Sequence, residues 1–134
     1  MSESGETREL LSQLLPQLIE RAGEGVIIAS SDGTILEWNA GAARIFGWTR
    51  EQALGENIDM LVPDNQKDRH WEGYDRVLAS GETKFSGGEL LVVSGLKSDG
   101  SRIGVEMSIT ALDQAGSVSA IAAIVRPVRR AARA

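Results

Sequence analysis

The sequence predicts an α+β fold in which helices cover one face of a single antiparallel sheet. Two apolar runs near the N-terminus are joined across Ser31-Asp-Gly33, which is a hairpin signal. The middle of the chain changes to helical spacing. From Arg102 to Leu112 apolar and polar side chains alternate, as in a strand with one buried face. From residue 25 onwards, strands at both ends and helices between them favour one covered antiparallel sheet.

Length and composition restrict the function classes. The chain has 134 residues, a net charge of −5 and no cysteine. This length suits one domain. The missing cysteines exclude disulfides, thiolate metal sites and a cysteine nucleophile. The acidic balance argues against a nucleic-acid-binding surface over the body of the domain.

The chain ends show no targeting segment. No apolar run approaches the roughly 20 residues needed to span a bilayer, and the N-terminus is too polar for a secretory signal. We therefore expect a cytoplasmic protein without membrane contact. The basic segment from Arg126 to Ala134 is interpreted as the solvated start of a linker, which would lead to an effector domain if the chain is a fragment.

The spacing predicts a helix over residues 6–21, with a broad leucine stripe. Pro16 lies inside it and should kink or split the helix. Such an apolar stripe must be buried, either against the domain or against a second chain. We expect an N-terminal helix over 1–21, a folded domain over 22–128 and a linker over 129–134.

The predicted elements follow in order. Residues 25–31 and 34–39 form the first hairpin, and residues 40–47 form a helix ended by Gly47. A short helix capped by Thr49 and a short helical piece from Asn57 to Pro63 come next. A longer helix covers 65–80 and ends at Gly81. Its residues Val77, His70, Tyr74, Leu78 and Trp71 share an arc of roughly 120°.

The last third of the chain, over residues 89–125, is predicted to form three strands joined by turns. Residues 89–95 are strongly apolar, and Ser98-Asp-Gly100 is a second turn signal. Residues 102–112 place Ile103, Val105, Met107, Ile109 and Ala111 on one face. A third turn, over 113–116, leads to a final strand over 118–125.

Several of these motifs resemble the PAS family of sensory domains. The run from Gly25 to Trp48 contains a hairpin, Trp-Asn-x-x-Ala and then Ile-Phe-Gly-Trp, and Glu51-x-Ala-Leu-Gly, Leu61-Val-Pro and Lys97-Ser-Asp-Gly follow in order. The resemblance covers about residues 22–128. It implies a five-stranded sheet in the order 2-1-5-4-3 with a ligand pocket under the helices. It also implies a homodimer through residues 6–21 and the outer sheet face.

Two departures from this family stand out. Without cysteine the chain cannot form the flavin adduct of the light-sensing relatives. At the exit from the last strand, relatives commonly carry an Asp-Ile/Val-Thr triplet, whereas this chain has Pro127-Val-Arg129. Proline lacks the donor that could hold this exit in place, so coupling to a downstream domain is expected to differ.

The helix after Pro63 resembles that of the haem-binding PAS domains, which are found in oxygen-sensing kinases and phosphodiesterases. The resemblance implies haem b with His70 as the proximal iron ligand and Arg76 on a propionate. Met107 and Ile109 would form the distal wall, and Met107 could be a sixth ligand. Leu90 or Leu91 lies where the kinases have a distal arginine. Carbon monoxide, nitric oxide or redox sensing is then favoured over stable oxygen binding.

The same residues have simpler interpretations. His70 could be a packing residue, Arg76 could pair with Glu72 at i,i+4 spacing, and Met107 could be core. The cavity would then hold a small apolar ligand or be filled by side chains. The sequence thus leaves a sensory module and a purely structural dimerisation domain open. It contains no catalytic motif, and we expect no catalytic residues.

Overall fold

The fold is known from a computed structural model, which describes residues 4–128. One antiparallel sheet has the order β2-β1-β5-β4-β3. Its strands are β1 Gly25–Ser30, β2 Ile35–Trp38, β3 Leu91–Leu96, β4 Arg102–Gln114 and β5 Ser117–Pro127. The helices are α1 Gly5–Arg21, α2 Ala40–Phe46, α3 Arg50–Ala53 and α4 Lys67–Ser80, with 3₁₀ turns at Ile58–Leu61, Asp64–Gln66 and Lys84–Ser86. The predicted fold class and strand order are confirmed.

The helices between β2 and β3 begin and end at residues suited to caps. The Asn39 side chain accepts a hydrogen bond from a backbone N–H of α2, and Thr49 forms a capping box with Gln52 before α3. Gly47 and Gly81 end α2 and α4 with φ of 84° and 71°. Because side chains disfavour this left-handed conformation, glycine is suited to both positions.

α1 continues through Pro16, so of the two predicted effects of this proline, a kink or a split, the split is wrong and the kink stays a prediction. Proline removes one helical hydrogen bond, the one to the Ser12 carbonyl. That part of α1 is exposed, so water can replace the lost donor. Only the C-terminal end of α1 is attached to the domain, where the Ile19 carbonyl accepts from Asn39 Nδ2 at 2.7 Å.

The last hairpin is tighter than the predicted four-residue turn over 113–116. The strands extend to Gln114 and from Ser117, which leaves only Ala115 and Gly116 between them. Both have positive φ, 54° and 85°, which is the signature of a type I′ turn. The hairpin therefore lengthens β4 and β5 beyond their predicted ends.

The exit from β5 is held by a backbone hydrogen bond. Val128 N–H donates to the Gly104 carbonyl at 2.9 Å, so the residue after Pro127 supplies the donor that proline lacks. The different coupling to a downstream domain expected from Pro127 stays a prediction. Residues 129–134, the predicted linker, lie outside the described residues. Within residues 4–128 no helix is long and apolar enough to cross a bilayer.

One end of the concave sheet face is covered by α2. There Trp38 and Val105 are buried together with Phe46, the last residue of α2, and Trp38 Nε1–H donates to the Trp48 carbonyl at 3.0 Å. Towards α4, the concave-face residues Met107 and Ile109 are only half-buried. The helices thus leave space over this part of the sheet.

Candidate functional site

That space is a cavity of about 1250 Å³ between α4, the turn Lys84–Ser86 and the concave face. It is larger than most ligand pockets, which are typically about 300–1,000 Å³. Side chains from four strands form its sheet wall, and these are almost all apolar: Ile27, Ala29, Leu91, Val93, Val105, Met107, Ile109, Ala111, Ile121, Ala123 and Val125.

The strand register places the wall residues beside one another. Met107 pairs with Leu91 on one side and with Val125 on the other. Ile109 pairs with Ala123, which in turn pairs with Ile27 of β1. Residues paired across an antiparallel sheet point to the same face, so these side chains form one continuous apolar surface.

Small residues keep the cavity open. Ala29, Ala111 and Ala123 lie on the sheet wall, and Gly73 lies opposite them on α4. A Cβ atom added at Gly73 would meet no other atom within 4 Å. Glycine inside a helix costs about 1 kcal/mol relative to alanine. At Gly73 the chain therefore leaves open space that a larger side chain could fill. Such a side chain would also stabilise the helix.

Two aromatic side chains attach α4 to neighbouring elements, Tyr74 to the first hairpin and Trp71 to the turn Ile58–Leu61. Tyr74 O–H donates to the Ser30 carbonyl at 2.5 Å, and burial raises the pKa of Tyr74 to about 12, so it remains a donor at neutral pH. Trp71 Nε1–H donates to Asp59 Oδ1 at 2.9 Å, and Lys67 Nζ contacts Asp59 Oδ2 at 2.6 Å. The hydrogen bond from Lys67, followed by that from Trp71, lowers the pKa of the Asp59 carboxyl.

His70 lies on the cavity wall with two different ring nitrogens. Nδ1 is enclosed and has no hydrogen-bond partner. Nε2 also makes no hydrogen bond to the described residues, but it is not enclosed. The His70 ring lies 4.7 Å from the Trp71 ring and 5.7 Å from the Tyr74 ring. Burial lowers the pKa of His70, and Asp59 opposes this only in part, so the ring is neutral at pH 7.

The structure brings all the predicted site residues to this one cavity: His70, Tyr74, Arg76, Leu91, Met107 and Ile109. Their roles towards a ligand stay predictions. Arg76 is exposed, so it lies at an open part of the wall, and within residues 4–128 it forms no ion pair with Glu72. The i,i+4 pair considered for Arg76 is therefore not formed. The hydroxyl of Tyr74 is already bonded to Ser30.

Sequence reasoning missed Gly73 and the anchoring role of Trp71. The available signal for Gly73 was a glycine inside a helical segment at the edge of its apolar arc, where alanine would be the better helix former. From the sequence, Trp71 is interpreted as a packing residue on the apolar arc. Its indole N–H bonds to a carboxylate twelve residues earlier, and no spacing rule indicates such a contact.

Comparison with known proteins gives a consistent picture. A family model described as the PAS fold matches residues 13–128. An uncharacterized protein of Azorhizobium caulinodans is 33% identical over 112 residues, which is 83% of this chain and 15% of that protein. Sensor protein FixL of Bradyrhizobium diazoefficiens is 25% identical over 103 residues, 76% of this chain and 20% of FixL. Oxygen sensor protein DosP of Escherichia coli is 26% identical over 108 residues, 79% of this chain and 13% of DosP.

Solved structures show the same fold. The PAS domain of a protein from Colwellia psychrerythraea has a TM-score of 0.74 at 17% identity, covering 88% of this chain and 97% of that one. An RNA-binding Light-Oxygen-Voltage receptor has a TM-score of 0.77 at 17% identity, covering 95% of this chain and 36% of the receptor.

Proposed function

Because this chain belongs to the PAS-fold family, we propose that it is a sensory module that binds a small, largely apolar molecule in the cavity under α4. The cavity of about 1250 Å³ carries this proposal. Its sheet wall is largely apolar, whereas the side formed by α4 and the turn after it carries polar and charged residues such as Arg69, His70 and Lys84. An apolar surface facing polar groups that can orient a ligand is typical of ligand sites. Under this proposal the chain binds its ligand without chemical change, and turnover of a substrate by the purified protein would contradict that part.

The open space supports a ligand over the alternative of a core filled by side chains. Protein interiors are close-packed, and a void lined by carbon atoms loses their packing energy. Met107 and Ile109 stay half-buried although they point towards the helices. A ligand between these residues and α4 would cover this apolar surface.

The contacts of α4 supply a route for the signal. A ligand that shifts α4 would move Trp71 and Tyr74, which are bonded to Asp59 and to the Ser30 carbonyl. The Trp71 ring also lies against Gly33, where a Cβ atom would be 2.5 Å from it. We propose that the hairpin β1–β2 responds to ligand occupancy through these contacts. Such coupling requires only that the ligand binds two arrangements with different affinity.

Haem b is the second candidate ligand, favoured by a neutral imidazole on the wall of a large apolar cavity. His70 would ligate the iron, Arg76 would face a propionate, and Met107 and Ile109 would lie on the distal side. A haem bound here would supply an iron atom that takes diatomic gases or changes its redox state. Among residues 4–128 no cluster of three or more His, Asp or Glu side chains could hold a metal ion, so His70 would act largely alone.

The hydrogen bonding around His70 fits haem less well. A metal-ligating histidine almost always donates its other N–H to a carboxylate, a carbonyl or water, which fixes the ring. His70 Nδ1 has no such partner. The cavity volume and the imidazole nitrogen of His70 suit haem. The missing hydrogen bond from Nδ1, which would fix the imidazole ring, does not. This is why an organic ligand is the first proposal.

One spectrum separates the two ligands. The protein is purified with haem supplied, and its visible absorption is compared with that of the variant His70→Ala. A Soret band that the variant loses would support iron ligation. If the unaltered protein shows no Soret band, haem is excluded as the ligand and the organic ligand remains the proposal.

Binding of an organic ligand is tested with the neutral fluorescent probe N-phenyl-1-naphthylamine. We expect saturable binding that Gly73→Leu weakens, because leucine at this position takes up part of the cavity next to α4. Ala79→Leu is the matched control, since Ala79 lies on the exposed side of the same helix. Equal binding by all three proteins would place the probe outside the cavity and contradict the proposal.

We also propose that the module is a homodimer through α1 and the outer sheet face. Five leucines of α1 are between 38 and 66% exposed: Leu10, Leu11, Leu14, Leu15 and Leu18. On the outer face, Leu36 and Ile124 are about half exposed. A second copy carries the same stripe, so pairing by a two-fold axis would cover both at once.

The output of the module is proposed to be a downstream effector. The chain spans 13 to 20% of the lengths of the three relatives, so most of each relative consists of other sequence. The attached end of β5 at Val128 would transmit a change in the sheet to whatever follows it.

A further inference from the structure

The two nitrogens of His70 differ in what they can reach. Nδ1 is enclosed by protein atoms and has no hydrogen-bond partner among residues 4–128, whereas Nε2 is not enclosed, and His70 lines the cavity. A neutral imidazole has one N–H donor and one bare nitrogen that accepts. The hydrogen-bond environment therefore determines which nitrogen carries the proton.

An enclosed donor without an acceptor is the costlier arrangement. A buried N–H that loses water without gaining a partner pays its full desolvation penalty, and orphaned donors are rarer in proteins than under-satisfied acceptors. With the proton on Nε2, the donor can reach water or a ligand, and only a lone pair is enclosed. The geometry thus favours the Nε2–H form.

We infer that His70 presents an N–H donor to the cavity and that the ligand is an apolar molecule with a hydrogen-bond acceptor, such as a carbonyl or carboxylate. This inference rests on the proposed function. It makes His70 a specificity-determining residue for an organic ligand.

The surroundings of His70 agree with this ligand class. The sheet wall is almost entirely apolar, so it suits the hydrocarbon part of the molecule. Tyr74 already donates to Ser30 and is not free for the ligand. Gly73, three residues after His70, is its neighbour on the helix surface and leaves the space beside it open. The acceptor would therefore lie at α4, with the apolar body against the sheet.

The first test reads the proton position directly. His70 is the only histidine of the chain, so a long-range ¹H–¹⁵N correlation spectrum contains a single imidazole. At neutral pH and without ligand we expect a protonated Nε2 and a bare Nδ1. A protonated Nδ1 would overturn the inference. It would mean that the Nδ1–H donor is directed at the face of a neighbouring aromatic ring.

The second test compares two probes of nearly equal shape, benzophenone and diphenylmethane, which differ in one carbonyl oxygen. Their dissociation constants are measured by calorimetry. We expect benzophenone to bind about two- to tenfold more tightly, as one hydrogen bond provides. His70→Gln retains an N–H donor and should keep this preference, whereas His70→Phe should lose it.

The outcomes separate the inference from the proposed function. Equal affinity for both probes would overturn the donor role of His70 while confirming that the cavity binds apolar molecules. Failure of both probes to bind would count against the proposed function, and the proton position would still be decided by the spectrum.

Discussion

Gly73 gives the sharpest test of the open cavity, because its substitution should stabilise the protein. A Cβ atom at Gly73 meets nothing within 4 Å, and the residue lies inside α4. Alanine is favoured over glycine in a helix interior by about 0.8–1.0 kcal/mol. We therefore expect Gly73→Ala to raise the free energy of unfolding by about 1 kcal/mol. For a domain of this size that corresponds to a Tm increase of about 3–5 °C.

Leucine at the same position should stabilise the ligand-free protein further. Each CH₂ group moved from water into the cavity contributes about 0.8 kcal/mol, less the cost of ordering the side chain. The gain should come with weaker ligand binding, since the new side chain takes up part of the space next to α4. A core already filled by side chains would instead be overpacked, at a cost of about 1–3 kcal/mol.

Gly33→Ala is the matched control with the opposite expected sign. Gly33 has a φ of 87°, and a Cβ atom there would lie 2.5 Å from the Trp71 ring. The left-handed conformation alone costs a non-glycine residue about 1–2 kcal/mol. Both variants are compared by urea denaturation followed by circular dichroism. A destabilising Gly73→Ala would refute the open cavity next to α4.

Three further predictions concern the core, the histidine and α1. Asn39→Ala should lower the free energy of unfolding by about 3 kcal/mol or more, because it leaves four backbone groups without a partner, one of them buried and three part-buried. The exposed cap variant Asn57→Ala should lose only about 1 kcal/mol, and similar losses in the two variants would contradict this prediction. His70 has a folded pKa below its unfolded value of 6.5, so the unfolded chain binds more protons and stability should fall as pH decreases below about 6.5. Urea midpoints at pH 7.5 and 5.5 should differ less in His70→Phe, and an unchanged difference would assign the effect to other groups. The double variant Leu14→Glu/Leu18→Glu should be monomeric by light scattering while keeping its circular dichroism, and a retained dimer would exclude α1 as the interface.

Local rules were sufficient for most of the fold. The turn Ser31-Asp-Gly33 joins the first two strands, Gly47 and Gly81 end α2 and α4, and Thr49 caps α3, all as predicted. These features depend on residues close in sequence, whose conformational preferences act regardless of the rest of the chain. The alternation over Arg102–Leu112 likewise identified the concave face of β4.

Local rules were insufficient where water or a distant residue decides the outcome. α1 continues through Pro16 because the Ser12 carbonyl, which loses its helical donor, lies in solvent. The chain after Pro127 is held by the Gly104 carbonyl, 24 positions before Val128. Trp71 and Tyr74 were recognised as apolar-arc residues, but their partners Asp59 and Ser30 lie on other elements.

The sequence by itself determined that this chain forms a covered antiparallel sheet of the PAS type and that the face with His70 turns towards it. Periodicity and turn chemistry carry that information, because they act over a few residues. Only the tertiary structure decided that the space between α4 and the sheet is open, that His70 Nδ1 is enclosed and Nε2 is not, and that the α1 leucines remain uncovered. Empty volume and unpaired atoms are properties of packing, which depends on the positions of all elements at once.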